Sequence, residues 1–188
     1  MDKETFAIVG ITLKIIGYLP YITDTIKGKT TPHLYSWLVW SVLGVTNSAL
    51  FFQNGGGNGS FVHLTSTIIT IFIFILSIFK GHKEITKTDK IFLALSVIAF
   101  TLWFFIDQPG FAAIFATSTS LLALGPTIRK SWTHPHSETL STYIMNTIRH
   151  TLVILALDKY SLITLFNPIM WSFVNFGISL ILIFRRRK

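Results

Sequence analysis

Gly17-Tyr-Leu-Pro20-Tyr-Ile-Thr-Asp24 closes the first apolar run of this chain, and Ala123-Leu-Gly-Pro126-Thr-Ile-Arg-Lys130 closes the fifth. The two prolines lie 106 residues apart. Behind each comes a basic loop and then a segment that opens a helix with hydroxyls. The first is Lys29-Thr-Thr-Pro-His-Leu34-Tyr-Ser36-Trp37 and the second is Pro135-His-Ser-Glu-Thr-Leu140-Ser-Thr142-Tyr143. In this register Pro20 matches Pro126, Ile22 matches Ile128 and Leu34 matches Leu140. Ser36 and Thr142 are similar, as are Trp37 and Tyr143. Self-similarity at one fixed offset marks two copies of one supersecondary unit.

The surroundings of these windows set the solvent. The chain has 188 residues, 51% hydrophobic and 13% charged, with a mean hydropathy of +0.59. A soluble domain carries about 25% charge, so this surface calls for lipid. The 17 Phe and five Trp suit that solvent. The absence of Cys excludes disulfides, thiolate metal sites and a Cys nucleophile. A net charge of +8 would point a soluble chain toward nucleic acid. Here the Lys and Arg sit in the loops between apolar runs, as orientation signals do. The bilayer, and not nucleic acid, is the expected partner. Met-Asp-Lys-Glu lacks a basic n-region and no small-residue cleavage site follows, so the first run reads as a span and not as a signal peptide.

Roughly 17–25 apolar residues cross the hydrocarbon core as a helix. Seven runs fit, at 6–22, 32–52, 61–79, 90–106, 111–128, 139–157 and 163–184. Asp107-Gln108-Pro109-Gly110 separates the fourth from the fifth as a tight turn. Lys27 and Lys29, the cluster Lys80, Lys83, Lys87 and Lys90, the pair Arg129 and Lys130, and the tail Arg185-Arg186-Arg187-Lys188 then fall on one side. The other side carries Asn54 to Gly59, Asp107 and Asp158-Lys159. Short basic loops stay cytoplasmic. The expectation is an integral protein of the inner cell membrane, N-terminus outside and C-terminus cytoplasmic.

Both prolines end the first helix of a three-helix set, and both sets end in basic residues. The fold class expected is all-α integral membrane: two parallel three-helix repeats, at 1–80 and 108–188, joined by a loop and linker helix at 81–107. Proline near the end of a span, then a basic loop, then a span with Ser and aromatics, twice in a 3+1+3 chain, resembles the PQ-loop and SWEET superfamily. The resemblance covers nearly the whole chain. The eponymous Pro-Gln is Pro20-Tyr21 in the first repeat and Pro126-Thr127 in the second. The compact loops look like an uncharacterised bacterial branch.

Candidate residues follow from polarity inside spans. Ionisable groups there are costly and face partners or wet cavities. Lys14 lies mid-span, about 9 Å of helix before Pro20, so it must snorkel, pair or face a cavity. It is a candidate for coupling, as is Asp107. Asn146, Arg149 and His150 share a face by their i, i+3 and i, i+4 spacing. Arg suits carboxylate or phosphate and His titrates near neutrality, so they read as a solute or proton cluster, or else as a structural pairing with Asp158 or Asp107. Asn167, Trp171 and Asn175 make a stripe four residues apart; Trp37, Trp40, Ser41, Gly44 and Asn47 make a comparable face. Either stripe can also be helix packing. His63, Thr67, Thr70 and the run Thr117-Ser-Thr-Ser120 are polar positions that line a path or bond their own backbone.

The resemblance implies that Pro20 and Pro126 act as hinges. It also implies a pocket made by aromatics of the second and sixth spans and Asn of the third and seventh. Asn175 matches the seventh-span place, while Thr70 or Ser66 stands at its mate and Tyr143 or Asn146 at the sixth-span aromatic. The site expected is therefore Trp40, Asn47, Thr70, Asn146, Arg149, His150, Trp171 and Asn175. His33, His134 and His136 lie in loops without a Cys or carboxylate framework, so no metal is expected, and no cofactor. No nucleotide motif or nucleophile–base set is present, so no enzyme is expected. The function expected is facilitative or ion-coupled transport of a small polar solute (sugar, vitamin or amino acid) by alternating access. The alternative is a non-transporting receptor of the same fold. A homo-oligomer stays open.

Overall fold

Local signals set the helix ends. Asp2 accepts a 2.8 Å hydrogen bond from the Thr5 N–H and caps α1 (Lys3–Ile26). The chain leaves α1 through Gly28 at φ +74°, a left-handed turn that glycine takes without strain. α2 (Leu34–Gln53) and α3 (Asn58–Lys80) form a hairpin through a turn with Gly55 and Gly57 at positive φ. α4 (Lys87–Trp103) and α5 (Pro109–Leu122) follow, then a short α6 (Gly125–Thr133), a 3-10 turn (Pro135–Ser137), α7 (Leu140–Ala156) and α8 (Leu162–Arg185). Ser161 and Thr164 cap α8 reciprocally. These elements come from a computed structural model that describes residues 2–82, 85–103, 105 and 108–187. Asp107, named above as a coupling candidate, lies outside them. No strand occurs among the described residues.

The fifth apolar run is not one helix. It was expected to continue over 111–128, but it breaks after Leu122 and restarts at Gly125. Pro126 has no N–H to give the Leu122 carbonyl, and its ring would collide with that carbonyl. At the second position of α6 neither matters, because a helix start has no such bond to make. Pro20, by contrast, sits inside an unbroken α1, which runs on to Ile26. The matched prolines thus do different things to their chains.

Four helices, α1, α2, α3 and α8, are long and apolar enough to cross a membrane among the described residues. α4 and α7 have 17 residues and α5 has 14. Seventeen residues rise about 25 Å, short of a core of about 30 Å. Proline breaks one of these runs, and the polar triad of α7 lowers the hydropathy of another.

The packing has a simple order. α3 lies between α1 and α2, and α8 touches both α5 and α7. Across the molecule α1 meets α7 and α2 meets α5, while α4 leans on α5 and α2. The α1–α7 contact is close: a Cβ on Gly17 would lie 2.8 Å from Met145 Cβ, so only glycine fits unmoved. Large apolar side chains face outward while many hydroxyls and amides are buried beside the apolar clusters. Ile8, Ile68, Phe72, Phe79, Phe173 and Phe184 are exposed, whereas Ser36, Thr67, Thr117, Asn167 and Thr142 are buried. Many of the buried hydroxyls donate to a carbonyl one turn back, among them Thr25, Ser41, Ser66, Ser120 and Ser179. That bond satisfies a hydroxyl without water.

The basic segments collect at one end. Lys130 of α6 bonds the Thr31 carbonyl in the α1–α2 loop and pairs with Glu138 at 2.5 Å. Thr30 and Thr139 bond at 2.7 Å, and Arg186 reaches the Pro135 and Glu138 carbonyls. The opposite end is held by Lys3 against Asp158 at 3.5 Å. It is sealed by an apolar cluster of Ala7, Phe51, Val62, Val153, Ala156 and Leu157.

Candidate functional site

Between these two ends α1, α2, α3, α5, α7 and α8 leave a cavity of about 100 Å³. That is space for several waters, since about 10–15 Å³ holds one. Some of its residues, such as Lys14, Asn47 and Arg149, lie well inside their helices, while others, such as Trp37, Thr142 and Ser120, lie near helix ends. All eight expected site residues, Trp40, Asn47, Thr70, Asn146, Arg149, His150, Trp171 and Asn175, line it, and Lys14 lines it as well. Lys14 is 3% exposed and turns inward rather than snorkelling to an end.

The α1–α7 side carries a polar chain. The Lys14 ammonium sits 3.5 Å from the centroid of the Tyr18 ring. One turn apart on α1, the two share a face. Asn146 donates from Nδ2 to the Tyr18 hydroxyl at 2.6 Å and accepts at Oδ1 from Arg149 Nε at 3.4 Å. Arg149 also donates from one terminal nitrogen to the His150 ring. Its other terminal nitrogen, Nη1, is buried with no hydrogen-bond partner. A buried guanidinium nitrogen without an acceptor is costly.

An aromatic wall continues from His150. The His150 and Trp171 rings are near parallel, 14° apart with centroids at 6.3 Å. Trp171 meets Trp40 edge-on at 5.6 Å, and Trp40 meets Trp37 edge-on at 5.2 Å. Trp40 Nε1 is satisfied by the Ser120 carbonyl at 2.9 Å. Below them Tyr143 donates to Glu138 at 2.9 Å, which connects the cavity floor to the basic end.

Toward the apolar seal runs a second polar chain. Ser48 lies 3.0 Å from Thr67 and 3.3 Å from His63 Nδ1. His63 Nε2 is 3.4 Å from Asn167 Oδ1, and Asn167 donates to Thr117 at 3.2 Å. The predicted residues differ in what they keep free. Thr70 gives its hydroxyl to Ser66 O and Asn175 gives Nδ2 to Trp171 O, both within their own helices. Each therefore offers mainly oxygen to the cavity. Asn47 makes no side-chain hydrogen bond among the described residues, so both halves of its amide are available.

Sequence reasoning passed over Tyr18, the link between Lys14 and Asn146, and Tyr21. Tyr18 was legible as the residue one turn after Lys14. It also passed over Asp89 at the basic end, where Arg129 donates to it at 2.9 and 3.2 Å and His33 Nε2 approaches to 3.4 Å. Burial lowers the His33 pKa to about 4, against the opposing pull of Asp89. Burial pushes the Asp89 carboxyl up, but Arg129, the Thr86 N–H and hydroxyl, and His33 together hold it below its ordinary value. No family model, curated protein or solved structure matches the chain.

Proposed function

We propose that this chain spans the membrane seven times and carries a small polar solute by alternating access. The observation that carries this reading is the cavity. Costly polar side chains from six helices, Lys14, Asn47 and Arg149 among them, converge on one space, with apolar side chains outside. Carriers built from paired helix units bind at the midplane between the units.

Two further observations support it. The neighbour relations survive exchange of the halves. If α1, α2 and α3 trade places with α5, α7 and α8, the contacts α1–α3 and α3–α2 become α5–α8 and α8–α7, and the α1–α7 contact becomes α5–α2. This is the pattern of two like triplets with α4 as linker. The basic loops share one end, which the positive-inside tendency makes cytoplasmic and which puts the N-terminus outside. Pro20 within α1 and the break before Pro126 are then bending points near that inner end. The ion pairs there and the apolar cluster at the far end serve as inner and outer closures.

The test is uptake into proteoliposomes of a panel of labelled sugars, amino acids and vitamins. Wild type is compared with Asn175→Ala and Arg149→Ala. Saturable uptake by wild type, reduced in either variant, supports the carrier. No uptake of any panel member above empty vesicles, by chain that binds the same solutes in detergent, contradicts it.

A further inference from the structure

Given the cavity described above, and resting on the carrier reading only for what happens after binding, we propose that its ligand is a small carboxylate with a flat apolar body. Three features of the lining lead there. Arg149 retains its proton at any physiological pH, and the two donors on its Nη1 have no partner although the residue is 3% exposed. Lys14 adds N–H donors on the same side. No Asp or Glu lines the cavity among the described residues. Glu138, which Tyr143 connects to the cavity floor, is committed to Lys130. The charge at Arg149 is therefore unanswered by the protein. A planar guanidinium edge fits a carboxylate with two parallel hydrogen bonds.

The rest of the cavity selects the body. Trp171, stacked with the His150 ring that Arg149 contacts and met edge-on by Trp40, adds apolar ring surface to the lining beside the arginine. The indole of Trp40 already has its acceptor, so this wall offers area and little hydrogen bonding. A polyol would leave hydroxyls unpaired against it, whereas an aromatic or conjugated ring would lose nothing. A cavity of about 100 Å³ limits the solute to a small one.

The probe pair is benzoate and benzamide, which share shape and differ in charge. The full chain in detergent is followed by thermal shift and calorimetry at constant ionic strength, with sodium chloride as the matched control. Benzoate is expected to bind and raise the unfolding temperature, with benzamide at least tenfold weaker and chloride without effect. Arg149→Gln should weaken benzoate at least tenfold and leave benzamide unchanged, and Arg149→Lys should restore part of the difference. The wild-type comparison stands even if a variant fails to fold. Equal binding of benzoate and benzamide, no binding of benzoate, or chloride reproducing the benzoate effect overturns the proposal. Benzoate binding without transport of any solute leaves this site standing and removes the carrier; uptake of a neutral sugar by a chain that ignores benzoate does the reverse.

Discussion

The Tyr18 hydroxyl on α1 receives a 2.6 Å hydrogen bond from the Asn146 amide on α7, and the same Tyr18 ring lies under the Lys14 ammonium. One side chain thereby joins the cation of the first helix to the Arg149 arm of the seventh. Tyr18→Phe keeps the ring and removes the acceptor. The buried Asn146 amide then lacks a partner, at a cost of about 1–3 kcal/mol. Thermal unfolding in detergent should show the loss, with ligand binding weakened because Arg149 loses its brace. Unchanged stability would mean that Asn146 finds another acceptor.

Lys130 and Glu138, 0% and 1% exposed, form the buried ion pair at the basic end. Removing one partner of such a pair costs about 3–5 kcal/mol, because the other charge is left buried. Glu138→Gln should therefore be markedly destabilising, with the Thr31 and Ser137 carbonyls softening the effect. The double variant Lys130→Met with Glu138→Gln should recover part of the loss. A double variant less stable than Glu138→Gln alone would contradict this account of the pair.

The burial of His33 beside Asp89 makes stability depend on pH. His33 binds its proton in the folded chain only near pH 4, against 6.5 when unfolded, because of burial, with Lys130 and His82 adding to the effect and Asp89 opposing it. Between those values the unfolded chain takes up a proton that the folded chain refuses, so stability falls as pH drops through this window. Asp89 is lowered from 3.8, so its own contribution is present above that value and lost below it. The unfolding temperature should therefore decline between pH 6.5 and 4, by about 2–4 °C per kcal/mol for a chain this size. His33→Gln should flatten the slope. A slope unchanged in His33→Gln assigns it elsewhere.

The two prolines should respond differently. Pro20→Ala restores a backbone donor inside α1 and removes its bending point, so uptake should fall while ligand binding in detergent persists. Pro126→Ala, at the second position of α6 where no intrahelical bond is missing, should alter uptake less. Equal effects at the two positions would mean that the difference in their helices has no functional weight.

Much of this arrangement was legible because membrane polarity is written in single residues. Lys14, Asn146, Arg149 and His150 stand out against their apolar neighbours, and a costly group has few places to go but inward. The pattern of period 3.6 then fixes which neighbours share their face. Two features were hidden. The break at Leu122 depends on a local contest between Pro126 and the Leu122 carbonyl, while the apolar run reads through it. The spacing from Lys14 picks out Tyr18 but not its partner, and Asp89 looks ordinary in the chain. Their weight comes from partners far away in sequence, 128 residues for the Tyr18–Asn146 bond and 40 for Asp89–Arg129. Spacing within one helix carries no record of such pairings.

The chain has no native Cys, so one introduced thiol reports on one place. Thr70→Cys puts it on the cavity wall, where the native hydroxyl already bonds within its own helix. In oriented vesicles, the account predicts modification by a membrane-impermeant thiosulfonate applied to either face, slowed by benzoate. Modification only by a lipid-soluble maleimide, or by no reagent at all, would contradict a wetted chamber open in turn to both sides.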